Sequence, residues 1–288
     1  MTGTEPIYKS TAGQEAIAAL YTRLLEQWPV PLEQVFIPTR HGETFVARWG
    51  NPAGPPLVLL HGSGSNSATW MGDAAAYAPH HHVCAVDIPG EPGKSAPERF
   101  SWDGPAFNEW LEDVLEQLGL DTVALGGMSL GGWATINYAA ARPDRVSHAV
   151  LIVPSGICQP RPGFVLRMLG YALLGARGRA MMMDYLFADL EMTPELREFL
   201  TLTAAHFNFR RGAPPLFSDA QLQRLTMPVL FLAGRHDRLL DTTKTAARLE
   251  EFVPRLTVCI DESAGHATVN TAAEVMAFLA GAPAPADV

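Results

Sequence analysis

Six runs of branched apolar residues, "LVLLH" (57–61), "VCAVD" (83–87), "TVALGGM" (122–128), "AVLIV" (149–153), "VLFLA" (229–233) and "LTVCI" (256–260), punctuate this chain. None of them alternates apolar with polar residues, so each reads as a strand buried on both faces. A strand of that kind is stable only in a parallel sheet with helices packed above and below it. Helical segments lie between the runs, including 107–118 and 130–141. Two earlier runs, "VFIPTR" and "TFVARWG", meet through His41-Gly42 and read as a hairpin, which brings the expected total to eight strands. Ahead of them, Ile17, Leu20, Leu24 and Leu25 recur at helical spacing. The fold class implied is α/β, with a mostly parallel sheet flanked by helices.

The rhythm breaks once. Residues 154–227 contain no strand-like run, whereas "FVLRMLGYALLGARGRAMMMDYLFADL" and "TPELREFLTLTAAHFNF" have helical character, the second with Thr193 as N-cap and Pro194 in the first turn. The expected organisation is a core in two parts, 1–153 and 228–288, with 154–227 inserted as a helical cap over the edge of the sheet where open α/β folds bind ligands. At 288 residues and 48% hydrophobic, the chain has ample material for one large core. Its net charge of −9, with no run of Lys or Arg, argues against a nucleic-acid partner. No stretch of about 20 apolar residues predicts a membrane span. The first residues lack the basic and apolar regions of a secretory signal. Cys84, Cys158 and Cys259 form no CxxC pair and read as free thiols, as expected in a reducing cytoplasm. The tail "GAPAPADV" has the composition of a disordered end.

Chemistry is concentrated at "LGGMSLGGW", where a strand ends and a helix begins. Gly127-Met128-Ser129-Leu130-Gly131 matches the sharp turn that holds a serine in a strained conformation with its hydroxyl projecting. Strand and helix backbones approach closely there, which requires glycine at 127 and 131, while Gly126 and Gly132 serve close packing beside the turn. The Leu130 amide is left at a helix N-terminus, where it can face an oxyanion.

A serine hydroxyl needs a base, and nine histidines are available. His80, His81 and His82 read as a solvated turn, His41 lies in the hairpin turn, His148 begins a strand, His206 falls in the insertion, and His236 adjoins a better acid candidate. His266, in "DESAGHATV", stands in the loop after the last strand and before the last helix, so it is the expected base. Asp237, in the turn after "VLFLA", is the expected carboxylate partner, and its rival Asp241 reads as a helix N-cap. The loop "HGSGSNS" after the third strand supplies the amide of Ser63 as a second oxyanion donor. Gly62, Met128, His206 and Phe207 are candidates for the substrate pocket. The aromatic and methionine content of the insertion, including Met168, Tyr171, Met181 to Met183, Tyr185, Phe187, Phe207 and Phe209, points to an apolar substrate or to helical packing.

Together, His61-Gly62, Gly127 to Gly131, Asp237 and Gly265-His266 resemble the α/β-hydrolase superfamily over nearly the whole chain. The loop "VDIPGEPGKS" and the long N-terminal helix followed by "WPVPLEQVFIPTRHGETFV" are similar to bacterial carboxylesterases of the naproxen-esterase type. Residues 90–95 are not a phosphate loop, which needs four residues between its glycines. The resemblance implies an eight-stranded sheet with a helical cap, no metal, no organic cofactor and a small-molecule ester as substrate. It also disfavours dehalogenation and epoxide opening, since those relatives carry an aspartate where Ser129 stands. Many relatives have an acidic residue where Asn270 stands here, and the insertion matches no relative residue by residue. The expected reaction is hydrolysis of a small, largely apolar carboxylic ester through an acyl-enzyme on Ser129. The alternatives are C–C bond or lactone hydrolysis on the same triad, and a non-catalytic ligand-binding protein that keeps the fold.

Overall fold

A computed structural model describes residues 6–186, 192–266 and 271–281, without the side chains of residues 176, 179, 180 and 183. Phe187, Asn270 and most of the "GAPAPADV" tail lie outside the described residues, as does the side chain of Met183. The elements run α1 (Thr11–Glu26), β1 (Leu32–Thr39), β2 (Gly42–Gly50), β3 (Pro56–Leu60), α2 (Ala74–Tyr77), β4 (His82–Val86), α3 (Ala106–Gln117), β5 (Val123–Met128), α4 (Leu130–Ala141) and β6 (Val146–Ile152). Then come α5 (Pro162–Ala172), α6 (Gly175–Leu186), α7 (Pro194–His206), α8 (Asp219–Gln223), β7 (Val229–Gly234), α9 (Thr242–Phe252), β8 (Leu256–Asp261) and α10 (Ala272–Leu279).

The eight strands form one sheet in the order β1-β2-β4-β3-β5-β6-β7-β8. The hairpin β1/β2 is antiparallel from Leu32 opposite Trp49 to Thr39 opposite Gly42, and β2 pairs antiparallel with β4. Every other neighbour is parallel. The apolar runs are legible as strands because the sheet interior leaves them nowhere polar to face: Leu57, Val58, Val83, Cys84, Val123, Leu125, Ala149 and Val229 are fully buried. Burial also pushes the Cys84 thiol up to about 12, so it packs as a small apolar group.

Strand order locates the site. From β3 the chain moves to one side to form β4 and then returns to the other side to form β5, so the winding reverses between β3 and β5. Loops leaving the carboxyl ends of two such strands diverge and open a crevice. The Ser63 loop leaves β3 there, and Ser129 follows β5.

The helices between β6 and β7 pack in two ways. Phe199 of α7 and Phe207 join Ile7, Ile17 and Leu20 in a small apolar cluster that seats the insertion on α1. Phe217, Leu222, Leu225 and Met227 instead belong to the main core, with Phe217 stacked on Trp133 of α4 at 5.7 Å. Thr193 caps α7 through the Leu196 amide, with Pro194 in the first turn. Two local expectations change. Tyr21 rather than Leu24 completes the fully buried face of α1. The His80 to His82 segment is not uniformly solvated: His81 is buried with Nδ1 3.2 Å from the Pro55 carbonyl, and His82 opens β4.

Candidate active site

Ser129 sits at φ 51°, ψ −106°, between the end of β5 and the first residue of α4. A positive φ on a residue with a Cβ is strained and persists only where the surroundings enforce it. Here the Ser129 amide donates to the Ile152 carbonyl at 2.9 Å, and its own carbonyl accepts the Trp133 and Ser155 amides at 3.0 and 3.1 Å. The two glycines of the turn are required by space. A Cβ at Gly127 would overlap the Gly131 carbonyl, and one at Gly131 would overlap the Leu60 carbonyl at the end of β3.

The loop after β3 is fastened by buried polar groups. His61 is fully buried, and burial lowers its pKa, against the opposing influence of Asp87 and the Gly62 carbonyl. The Ile88 amide donates to His61 Nε2 at 2.9 Å, so the ring proton is on Nδ1, which donates to the Gly62 carbonyl at 2.8 Å. His61 thus fixes a turn and has no free nitrogen for catalysis. Asp87 Oδ1 accepts the Ser67 amide at 2.8 Å, the Ser67 hydroxyl at 2.6 Å and the Tyr21 hydroxyl at 3.0 Å. Gly62 lies beside the turn: a Cβ there would be 3.6 Å from both the Met128 carbonyl oxygen and Ser129 Cβ. Ser63 is exposed at this point of the loop, and among the described residues no protein acceptor engages its amide or that of Leu130.

Glu91 is a residue that sequence reasoning missed. Its carboxylate accepts the Gly64 amide at 2.6 Å, next to Ser63, and it is only 3% exposed. Burial raises its pKa to about 7, although the Gly64 amide, Arg99, Arg210 and the Ser63 side chain all pull the other way. An unfolded glutamate ionises near 4.5, so between that pH and about 7 the unfolded chain loses a proton that the folded chain keeps. Stability contributed by this group therefore declines as pH rises through that window, by about 3 kcal/mol in total. Urea denaturation at pH 5 and pH 8 is expected to show a smaller difference for Glu91→Gln than for the parent. An unchanged difference would mean that Glu91 is not the group responsible.

At the far side of the crevice, Asp237 follows β7 and is 3% exposed. Its Oδ2 lies 2.7 Å from His266 Nδ1, while Oδ1 accepts the Leu239 and Leu240 amides, each at 2.8 Å. Burial alone would raise this carboxyl. The hydrogen bond and charge of His266, with the Leu240 and Leu239 amides, outweigh it and hold Asp237 below the usual carboxylate range. Asp241 accepts the Lys244 amide at 3.2 Å as the N-cap of α9. Gly234 is a second residue not singled out from sequence: a Cβ there would overlap the Ala264 and Gly265 carbonyls, so its bareness lets the His266 loop cross the end of β7. The His236 amide donates to the Ala264 carbonyl at 2.9 Å and fastens the crossing. His266 and Asp237 are thus in direct contact and Ser129 stands on the same sheet edge, with no Ser129–His266 hydrogen bond among the described residues.

A cavity of about 480 Å³ opens between the N-terminal segment and the insertion, lined in part by Met168, Tyr171, Met182, Phe207 and Phe209. The Phe209 ring packs against the bare Gly64 of the Ser63 loop, so cavity and loop share a wall. Of the other pocket candidates, Gly62 and Met128 border Ser129 and not this cavity. His206 is also outside the cavity lining, because α7 packs on α1 and turns its ring over Gly13. Met181 is exposed, and Tyr185 lies between the guanidinium groups of Arg167 and Arg238, 4.5 and 5.1 Å from its ring centre. Among the described residues no cluster of His, Cys, Asp and Glu is placed to hold a metal ion, and no helix is long and apolar enough to cross a membrane.

An eight-stranded sheet with a strained Ser129 and a His–Asp pair at its carboxyl edge defines a hydrolase architecture, and residues 57–278 match the Alpha/beta hydrolase family. The chain belongs to that family. Over 256 residues it is 32% identical to the carboxylesterase YbfK of Bacillus subtilis, covering 85% of this chain and 86% of that relative. It is 31% identical to the uncharacterized carboxylesterase nap of the same organism, covering 85% of this chain and 84% of the relative. The crystal structure of naproxen esterase (carboxylesterase NP) from B. subtilis superposes with a TM-score of 0.85 at 28% identity, covering 94% of this chain and 99% of that one. This chain is a carboxylesterase-like hydrolase.

Proposed function

We propose that this protein hydrolyses carboxylic esters of small, largely apolar molecules through an acyl-enzyme on Ser129. The observation that carries the reading is the 2.7 Å contact between His266 Nδ1 and the buried Asp237 carboxylate, on the sheet edge that also holds the strained Ser129. In this reading the Asp237 contact keeps the proton on His266 Nδ1 and leaves Nε2 as the base. Nε2 takes the Ser129 proton as Oγ attacks the ester carbonyl, and the amides of Ser63 and Leu130 receive the oxyanion. The imidazolium returns that proton to the leaving alcohol, and water deacylates Ser129 by the same route. The turn glycines Gly127 and Gly131 hold the nucleophile in place. Residues 154–227 act as the cap, and the largely apolar cavity between it and the N-terminal segment, which shares the Phe209 wall with the Ser63 loop, takes the hydrophobic part of the substrate.

Purified protein is expected to hydrolyse a short-chain nitrophenyl ester. Asp237→Asn should preserve the fold while lowering kcat about 10⁴-fold, because an amide in place of the carboxylate favours the wrong imidazole tautomer. A parent inert toward such esters, or an Asp237→Asn enzyme as fast as the parent, would remove the esterase reading.

A further inference from the structure

The insertion presents an apolar surface that the described residues leave open. On α5 and the turn after it, Leu166, Leu169, Leu173 and Leu174 are 73, 62, 88 and 53% exposed. Leu166, Leu169 and Leu173 are three and four residues apart, which places them on one helix face. Met168, Tyr171 and Ala172 of the same helix line the cavity, so α5 is apolar toward the protein interior and toward solvent alike. A helix with large apolar side chains on its water-facing side lacks its natural environment in water.

Charge indicates what that environment is. The chain as a whole carries −9, yet residues 161–186, which span α5 and α6, contain Arg161, Arg167, Arg177 and Arg179 against a single acid, Asp184. A local excess of arginine beside an exposed leucine face, in an otherwise acidic protein, is the pattern of a helix lying in the interface of an anionic bilayer. Arg161 donates to the Leu240 carbonyl at 3.0 Å, and Arg167 stacks over Tyr185. Arg161 also lies 3.9 Å from the Asp241 carboxylate, whereas Arg167 meets only the Tyr185 ring in these contacts and leaves its charge beside the apolar face. A second copy of this chain is a poorer occupant, because a symmetric contact through this face would bring two sets of arginines together.

We propose that α5 and the turn into α6 dock on an anionic lipid surface, with Leu166, Leu169 and Leu173 entering the acyl boundary and Arg167 and Arg177 meeting lipid phosphates. The protein then associates reversibly with membrane surfaces without spanning them. Docking is independent of the reaction assigned to Ser129.

Flotation with vesicles of phosphatidylcholine, with and without phosphatidylglycerol, tests this directly. The parent is expected to float with the phosphatidylglycerol vesicles, much less with phosphatidylcholine alone, and to be released by high salt. The triple variant Leu166→Gln, Leu169→Gln, Leu173→Gln alters only exposed positions and should keep the parent's thermal unfolding profile while binding at least about tenfold more weakly. Failure of the parent to bind either vesicle would overturn the proposal. So would equal binding to both, undiminished binding by the folded triple variant, or a solution dimer of the parent that the variant abolishes.

Discussion

Ser129→Ala is expected to lower kcat for ester hydrolysis by about 10⁴- to 10⁶-fold with little change in stability. The loss is that large because removing Oγ removes the atom that would be acylated, whereas the hydrogen bonds that hold the turn use the backbone of Ser129 and survive. The residue's φ of 51° makes a second variant informative. Ser129→Gly should be as inactive as Ser129→Ala but at least as stable, since glycine occupies positive φ without the roughly 1–3 kcal/mol of strain that a Cβ incurs there. Steady-state kinetics and urea denaturation of the two proteins would separate chemistry from strain. An active Ser129→Ala enzyme would mean that another group is the nucleophile.

The second large effect concerns a residue with no side chain. Gly131→Ala should destabilise the fold by about 3 kcal/mol or more, because its Cβ would run into the Leu60 carbonyl and lie 2.7 Å from the His61 carbonyl oxygen. Those are backbone atoms of the central strand and of the loop that carries Ser63, and they cannot rotate away as a side chain would. For a chain of this size the loss corresponds to a Tm lower by roughly 6–12 °C. Gly72→Ala is the control: it is exposed, has nothing within 4 Å of its added Cβ, and should change stability by less than about 0.5 kcal/mol. Equal Tm values for the two variants would contradict the close approach of α4 and β3.

These effects show why some features are legible in the sequence and others are not. The central parallel strands could be read because burial on both faces leaves an uninterrupted apolar run, the edge pair β1/β2 because His41-Gly42 marks its hairpin, and the turn at Ser129 because crowding leaves glycine as its mark. Asp237 and His266 are identifiable by position, each in the first loop after a strand. Glu91 carries no such mark. An acid within "GEPGKS" looks like an ordinary turn residue, and its burial appears only when the chain brings Gly64 onto its carboxylate. His206 illustrates the reverse case: a histidine in an insertion suggests a pocket, but the docking of α7 on α1 turns it toward Gly13. Cavity lining within the insertion depends on helix orientation, which periodicity alone does not fix.

The central proposal is that Ser129 is the acylated nucleophile, and the most direct measurement is covalent capture. Treating the folded protein with a lipophilic phosphonate ester and mapping the adduct by peptide mass spectrometry should place the modification on Ser129 alone, with no labelling of Ser129→Ala. An adduct on any other residue, or an unlabelled parent that remains folded, would contradict it.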